Sequence, residues 1–145
     1  MGTIRKLNLL IVDDDPSIVR LADKYLRAEF AERIALTTFS DPRAARQQIE
    51  DAGCDLLISD IQMPGLGGLE MLQVAKRRNA WTQVIFMTGH STWDHIAEAI
   101  EAGACDYLLK PLVREELQRV VDQSCERLAR WQKVVRETCK QPAGM

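Results

Sequence analysis

The chain has 145 residues, 46% hydrophobic and 28% charged, with a formal net charge of -2; this is one domain's length, able to bury a core without disulfides or metals as staples. The charge balance excludes a general polyanion-binding character, and no internal repeat or low-complexity segment is present. The cysteines at 54, 105, 125 and 139 form no CxxC pair and have no His at zinc-ligand spacing, so they read as reduced thiols of a cytosolic protein.

Leu7 to Val12 is mostly apolar and branched, which predicts a buried first strand; its six residues are too few for a signal h-region or a membrane span. It ends in Asp13-Asp14-Asp15-Pro16. Pro16 suits the first position of a helix and Asp15 its N-cap, because proline lacks an N–H that would be orphaned there. Asp13 and Asp14 are left in the loop without a capping role. Ile18, Leu21, Ala22, Tyr25 and Leu26 recur at helical spacing, giving a first helix with one apolar face. Residues 34–39, IALTTF, predict a second, more polar strand near a sheet edge. Asp41-Pro42 repeats the cap and starts a helix that runs to Asp51 and closes at Gly53.

The third strand carries the most information. Leu56, Leu57 and Ile58 form a continuous apolar run, the mark of a strand covered on both faces, and it stops at Asp60 before a Pro/Gly cluster, Met63-Pro64-Gly65 and Gly67-Gly68. A strand-end Asp can cap the next turn; at the carboxyl edge of a parallel sheet it can also meet ligands. Leu69 and Leu72 mark the apolar face of a third helix, which ends in Lys76, Arg77 and Arg78, cations suited to the negative end of its dipole. Residues 84–87, VIFM, make a fourth strand ending in Thr88-Gly89-His90. A helix from about Thr92 to Ala102 follows, with Ile96, Ala99 and Ile100 on one face and Gly103 as its stop. Residues 105–109, CDYLL, make a fifth strand ending in Lys110-Pro111, and a last helix begins near Leu112. Five strands alternating with five helices predict an α/β, doubly wound five-stranded parallel sheet with helices on both faces and an extended C-terminal helix.

Parallel strands put their carboxyl ends on one edge, so Asp13, Asp14, Asp60, Thr88 and Lys110 should converge there. Three carboxylates held close together repel unless a cation neutralises them. Oxygen-only ligation suits Mg2+, whereas zinc would want the His or Cys this edge lacks. The charges of Mg2+, Lys110 and the three acids sum to zero. Such a site can take a phosphoryl group, with metal and lysine neutralising its charge and the Thr88 hydroxyl donating to one oxygen.

These residues resemble the receiver domain of bacterial two-component response regulators, which has a flavodoxin-like fold. The resemblance rests on the acidic pair Asp13 and Asp14, on Asp60, on Thr88, on Lys110-Pro111 and on the segment MPGLGGLE after Asp60, and covers about residues 6–125. It implies a phosphorylation-dependent signalling module rather than an enzyme. Asp60 would accept a phosphoryl group from a sensor histidine kinase or phosphotransfer protein. Asp14 would bind Mg2+ directly, Asp13 largely through water, and Asp60 and the backbone carbonyl of Gln62 would complete the protein ligands. Lys110 would pair with Asp60 and then with the phosphoryl oxygens. Thr88 would shift toward the phosphoryl group and Tyr107 would rotate inward, together forming the switch; from the residue alone, Tyr107 reads as an ordinary strand aromatic. Gln62 and His90 would tune the phosphoryl lifetime. His95 receives no role.

From Leu112 to Cys139 no proline or glycine interrupts the last helix. Leu117, Val121, Ser124, Leu128, Trp131, Val135 and Thr138 alternate at spacings of four and three, the pattern of a coiled-coil seam. The early positions can pack on the sheet; the later ones, Trp131 among them, have no core left to enter. The chain therefore divides into a receiver domain, residues 1–125, and an extension, residues 126–145, that ends in a short tail and offers a homodimer contact or a link to an output domain. No helix-turn-helix or strongly basic face predicts direct nucleic-acid binding, and no segment predicts a membrane partner. Competing readings are a phosphate-independent interaction module, an aspartyl-phosphate hydrolase and a flavin binder. The intact acidic set opposes the first. A hydrolase would want an acid where Gln62 stands, and three acids after the first strand would repel a flavin phosphate.

Overall fold

The computed structural model describes residues 5–140; residues 1–4 and the short tail beyond Lys140 lie outside the described residues. Its elements run β1 (Leu7–Val12), α1 (Pro16–Phe30), β2 (Ile34–Phe39), α2 (Pro42–Ala52), β3 (Leu56–Asp60), α3 (Gly68–Arg78), β4 (Gln83–Thr88), α4 (Trp93–Ala102), β5 (Asp106–Leu109) and α5 (Arg114–Cys139). All strand pairs are parallel, in the order β2-β1-β3-β4-β5. The apolar strand β3 sits at the centre and the more polar β2 at an edge, as their compositions require.

Alternation along each strand feeds two cores. Leu9, Ile11, Leu56, Ile58, Ile85 and Met87 point to the face covered by α1 and α5, where Ala22, Leu26, Phe30, Leu117, Val121 and Cys125 close over them. Leu10, Val12, Leu57, Val84 and Phe86 point to the opposite face, closed chiefly by Ala45 and Ile49 of α2 and by Met71, Leu72, Val74 and Ala75 of α3. Asp15 and Asp41 cap α1 and α2, accepting from the N–H groups of Ser17 and Arg43 ahead of a first-turn proline. The amino edge of the sheet is tied by Asp55, 3% exposed, whose carboxylate accepts from Arg5, Trp81 Nε1 and the Asn8 N–H.

Two helix faces, those of α3 and α4, differ from the periodic reading. In α3 the buried face is Met71, Leu72, Val74 and Ala75, with Leu69 only partly covered. In α4, Ala99 alone is buried and Ile100 is 67% exposed. One residue is a 100° step around a helix, so seating Ala99 against the neighbouring layer turns Ile100 outward. In α5 the seam splits as expected: Leu117, Val121, Ser124 and Leu128 are buried in this chain's own core, whereas Trp131 is 59% and Val135 56% exposed. The helix starts at Arg114, two residues later than Leu112, because Leu112 itself enters the core.

Candidate functional site

Strand register levels the chemical residues at the carboxyl edge. Val12 pairs with Ser59, so Asp13 and Asp60 come next on adjacent strands; Thr88 pairs with Leu109, and Lys110 follows it. Asp13 is fully buried, Asp60 is 6% and Thr88 2% exposed, while Asp14 faces solvent. Lys110 reaches in from the end of β5, its stem passing over Gly89, and the bond joining it to Pro111 is cis.

The Lys110 ammonium lies 2.6 Å from Asp13 Oδ2 and 2.9 Å from Asp60 Oδ2. Toward Asp60 it donates a hydrogen bond; toward Asp13 it makes a charge contact without hydrogen-bond direction, and Asp13 Oδ2 has no other partner among the described residues. The second Asp13 oxygen accepts from the Asp15 N–H at 2.9 Å, and Asp60 Oδ1 accepts from the Gln62 N–H at 2.9 Å. Burial pushes the Asp13 carboxyl above its ordinary range despite Lys110 and the Asp15 N–H, with Asp14 adding to the rise. For Lys110, burial acts downward, but the negative charges of Asp13 and Asp60 against it outweigh this and hold the ammonium above its usual range.

Carboxylate oxygens of Asp13, Asp14 and Asp60 gather within 4.8 Å of one another. A buried oxygen lacking a directed donor, inside an all-oxygen cluster with one lysine, is a donor set for a hard divalent cation, and its chemistry fits Mg2+. The backbone of the next loop is held closely: the Gly68 N–H donates to the Ile61 carbonyl at 3.1 Å, and a Cβ at Gly68 would sit 2.5 Å from the Asp60 carbonyl oxygen.

Around this centre, the Thr88 hydroxyl accepts from the His90 N–H at 3.1 Å, while the His90 ring faces solvent. The hydroxyl of Tyr107, a half-buried residue, meets Ser91 Oγ at 3.2 Å. The exposed Gln62 side chain has a partner that periodicity did not reveal: its amide nitrogen lies 3.1 Å from His95 Nε2. His95 stands in the first turn of α4, and the β3–β4 pairing brings that turn beside the loop after Asp60. The available signal was topological, since the start of every helix after a strand lies at this same edge.

The family model described as the response regulator receiver domain matches residues 9–122. Among curated relatives, the DNA-binding transcriptional regulator NtrC of Klebsiella pneumoniae is 38% identical over 114 residues, which are 79% of this chain and 24% of that protein. The transcriptional regulatory protein ZraR of Klebsiella oxytoca is 31% identical over 140 residues, 97% of this chain and 31% of the relative. The chain thus spans about a fifth to a third of the length of the curated relatives it matches. Among solved structures, the signal receiver domain of a Luxo repressor protein from Vibrio parahaemolyticus superposes with a TM-score of 0.79 at 27% identity, covering 90% of this chain and 98% of that one.

Proposed function

The chain belongs to the response regulator receiver domain family, and from that premise we propose that it switches on phosphorylation of Asp60 by a sensor histidine kinase or phosphotransfer protein. The observation that carries the reading is the Lys110 ammonium held between Asp13 and Asp60, 2.6 and 2.9 Å from their oxygens, above a cluster of three carboxylates. An ammonium there screens the Asp60 carboxylate from its acidic neighbours and stands ready to accompany the charge of an incoming phosphoryl oxygen.

An Asp60 carboxylate oxygen attacks phosphorus; its bond to phosphorus forms as the donor's P–N bond breaks and the imidazole leaves with its electron pair. Asp13, Asp14, Asp60 and the Gln62 carbonyl would hold Mg2+, which when bound supplies charge neutralisation to the phosphoryl oxygens. Lys110 exchanges part of its contact with Asp60 for a phosphoryl oxygen. Thr88, buried beside Lys110, moves its hydroxyl toward another, and Tyr107 leaves Ser91 to fill the space behind it. Gln62 and His90 border the route by which water would reach the acyl phosphate. The module catalyses only its own phosphorylation and dephosphorylation. Its place is the cytoplasm, where its four free cysteines stay reduced; no described helix is long and apolar enough to cross a membrane.

We divide the chain at about residue 125 into the receiver and an α5 extension that contacts a second copy or an output domain, with no direct nucleic-acid contact by these residues. The exposed Trp131 and Val135 support this division. The test of the phosphoryl reading is intact mass after incubation with acetyl phosphate and Mg2+. The expected result is a gain of one phosphoryl group that needs Mg2+ and is lost in Asp60→Ala. No gain, and no Mg2+-dependent binding of a beryllofluoride mimic, would leave only the phosphate-independent interaction module.

A further inference from the structure

A chain of contacts runs from the cap of α4 to the Asp60 carboxylate. The Thr92 hydroxyl accepts from the His95 N–H at 3.2 Å, which fixes the backbone of His95 in the first turn. The imidazole Nε2 meets the Gln62 side-chain amide at 3.1 Å, and the Gln62 backbone N–H donates to Asp60 Oδ1 at 2.9 Å. The other imidazole nitrogen, Nδ1, is buried and has no partner among the described residues, so among them the ring's side-chain polar contact is with Gln62. A buried nitrogen left unpaired costs free energy, and the ring accepts this cost while Nε2 reaches a glutamine. Gln62 is the mobile partner: its side chain is exposed and long, and tethering it removes rotamer freedom it would otherwise keep.

We propose that His95 is a positioning residue that holds the Gln62 carboxamide across the mouth of the site, so that the Gln62–His95 pair sets the lifetime of the phosphoryl group on Asp60. This rests on the phosphoryl reading above. With the pair made, a fixed amide and an imidazole stand between the loop after Asp60 and α4 and restrict the approach of water to phosphorus. With the pair broken, Gln62 swings free and that side opens. The tether needs no titration of the imidazole, only a hydrogen-bonding atom at the position of Nε2. His90, two residues past Thr88, has its ring in solvent and takes no part in the pair.

The test is the decay of the phosphorylated protein in Mg2+ after the phosphodonor is removed, followed by intact mass. His95→Ala and Gln62→Ala are each expected to speed decay about fivefold, the factor that goes with one net hydrogen bond. The double variant should decay no faster than either single one, because both remove the same contact. His95→Gln puts an amide atom where Nε2 stands and should restore slow decay. His95→Asn reaches only as far as Nδ1 and should not. In the unphosphorylated protein, the imidazole nitrogen resonances of His95 should move in Gln62→Ala, a readout independent of phosphoryl chemistry. Wild-type protein that takes up no phosphoryl group and shows no Mg2+-dependent binding of the beryllofluoride mimic would overturn the parent reading and this one with it. Normal uptake with unchanged decay in His95→Ala, additive effects in the double variant, or equal decay of the Gln and Asn variants would overturn this one alone.

Discussion

Gly68→Ala is the sharpest test of how the loop after Asp60 is held. A Cβ there would lie 2.5 Å from the Asp60 carbonyl oxygen, 2.8 Å from Ile61 Cα and 3.0 Å from the Phe86 ring. Two of the three neighbours are backbone, and Phe86 is fully buried, so no flexible side-chain end can yield. The start of α3 must back away from the end of β3 by several tenths of an ångström, stretching the Gly68 N–H bond to the Ile61 carbonyl. Overpacking of this kind costs about 1–3 kcal/mol, while alanine's smaller loss of chain entropy on folding returns about 0.4–1 kcal/mol. The net expectation is a loss of about 1–2 kcal/mol, read as a fall of roughly 1 M in the urea midpoint at unchanged slope. Gly67→Ala is the control: its Cβ would meet nothing nearer than the Ile61 carbonyl oxygen at 3.6 Å, so a poorer helix cap, about 0.5 kcal/mol, is offset by the same gain in chain entropy and the net change is about zero. Gly68→Ala as stable as the wild type, or equal losses in the two variants, would refute the close-approach argument.

Asp13→Asn should raise the urea midpoint at pH 7 in metal-free buffer. The folded carboxyl is held above its ordinary 3.8, so the native state binds the extra proton and stability falls as pH rises from 3.8 through the raised value. The gain in the Asn variant should therefore vanish below about pH 4, and a variant less stable than wild type at pH 7 would contradict it. Burial, aided by the charge of Asp55, pushes the Cys54 thiol up to about 12, and Cys139 is exposed. A thiol reagent at pH 8 should label Cys139 first and reach Cys54 only on unfolding; rapid labelling of native Cys54 would oppose the burial described. If the α5 extension contacts a second copy rather than an output domain, replacing Trp131 and Val135 with Gln and Thr should lower the solution mass from dimer to monomer at unchanged helicity. An identical mass by light scattering would count against self-association through α5.

The strands were legible because each is a short branched or apolar run closed by Asp, Pro, Gly or Lys, and parallel connectivity then brings their ends together whatever the details of packing. For this reason Asp13, Asp60, Thr88 and Lys110 could be grouped before any coordinate was known. Helix faces were less legible. In α4, Ile and Ala alternate closely enough that a rotation of one residue changes which side chain is buried, and neighbouring α3 decides it. His95 escaped for a related reason: its contact with Gln62 joins residues 33 apart in the chain and depends on the angle at which α4 leaves β4. Asp55 escaped because an acid before an apolar run carries no periodic mark; its role emerges only when Arg5, Asn8 and Trp81 close around it.

The continuity of α5 makes it a lever. Its 26 residues form one rod about 39 Å long, clamped by core contacts as far as Leu128 and unsupported over the 11 residues from there to Cys139. That free arm is about 16 Å, so each degree of tilt at the clamp carries its tip about 0.3 Å sideways. The rod begins only four residues after Lys110, the residue whose ammonium bridges Asp13 and Asp60. A repositioning of β5 that tilts α5 by ten degrees, small enough to leave the sheet register intact, would arrive at Cys139 as a displacement of about 3 Å, the length of a hydrogen bond.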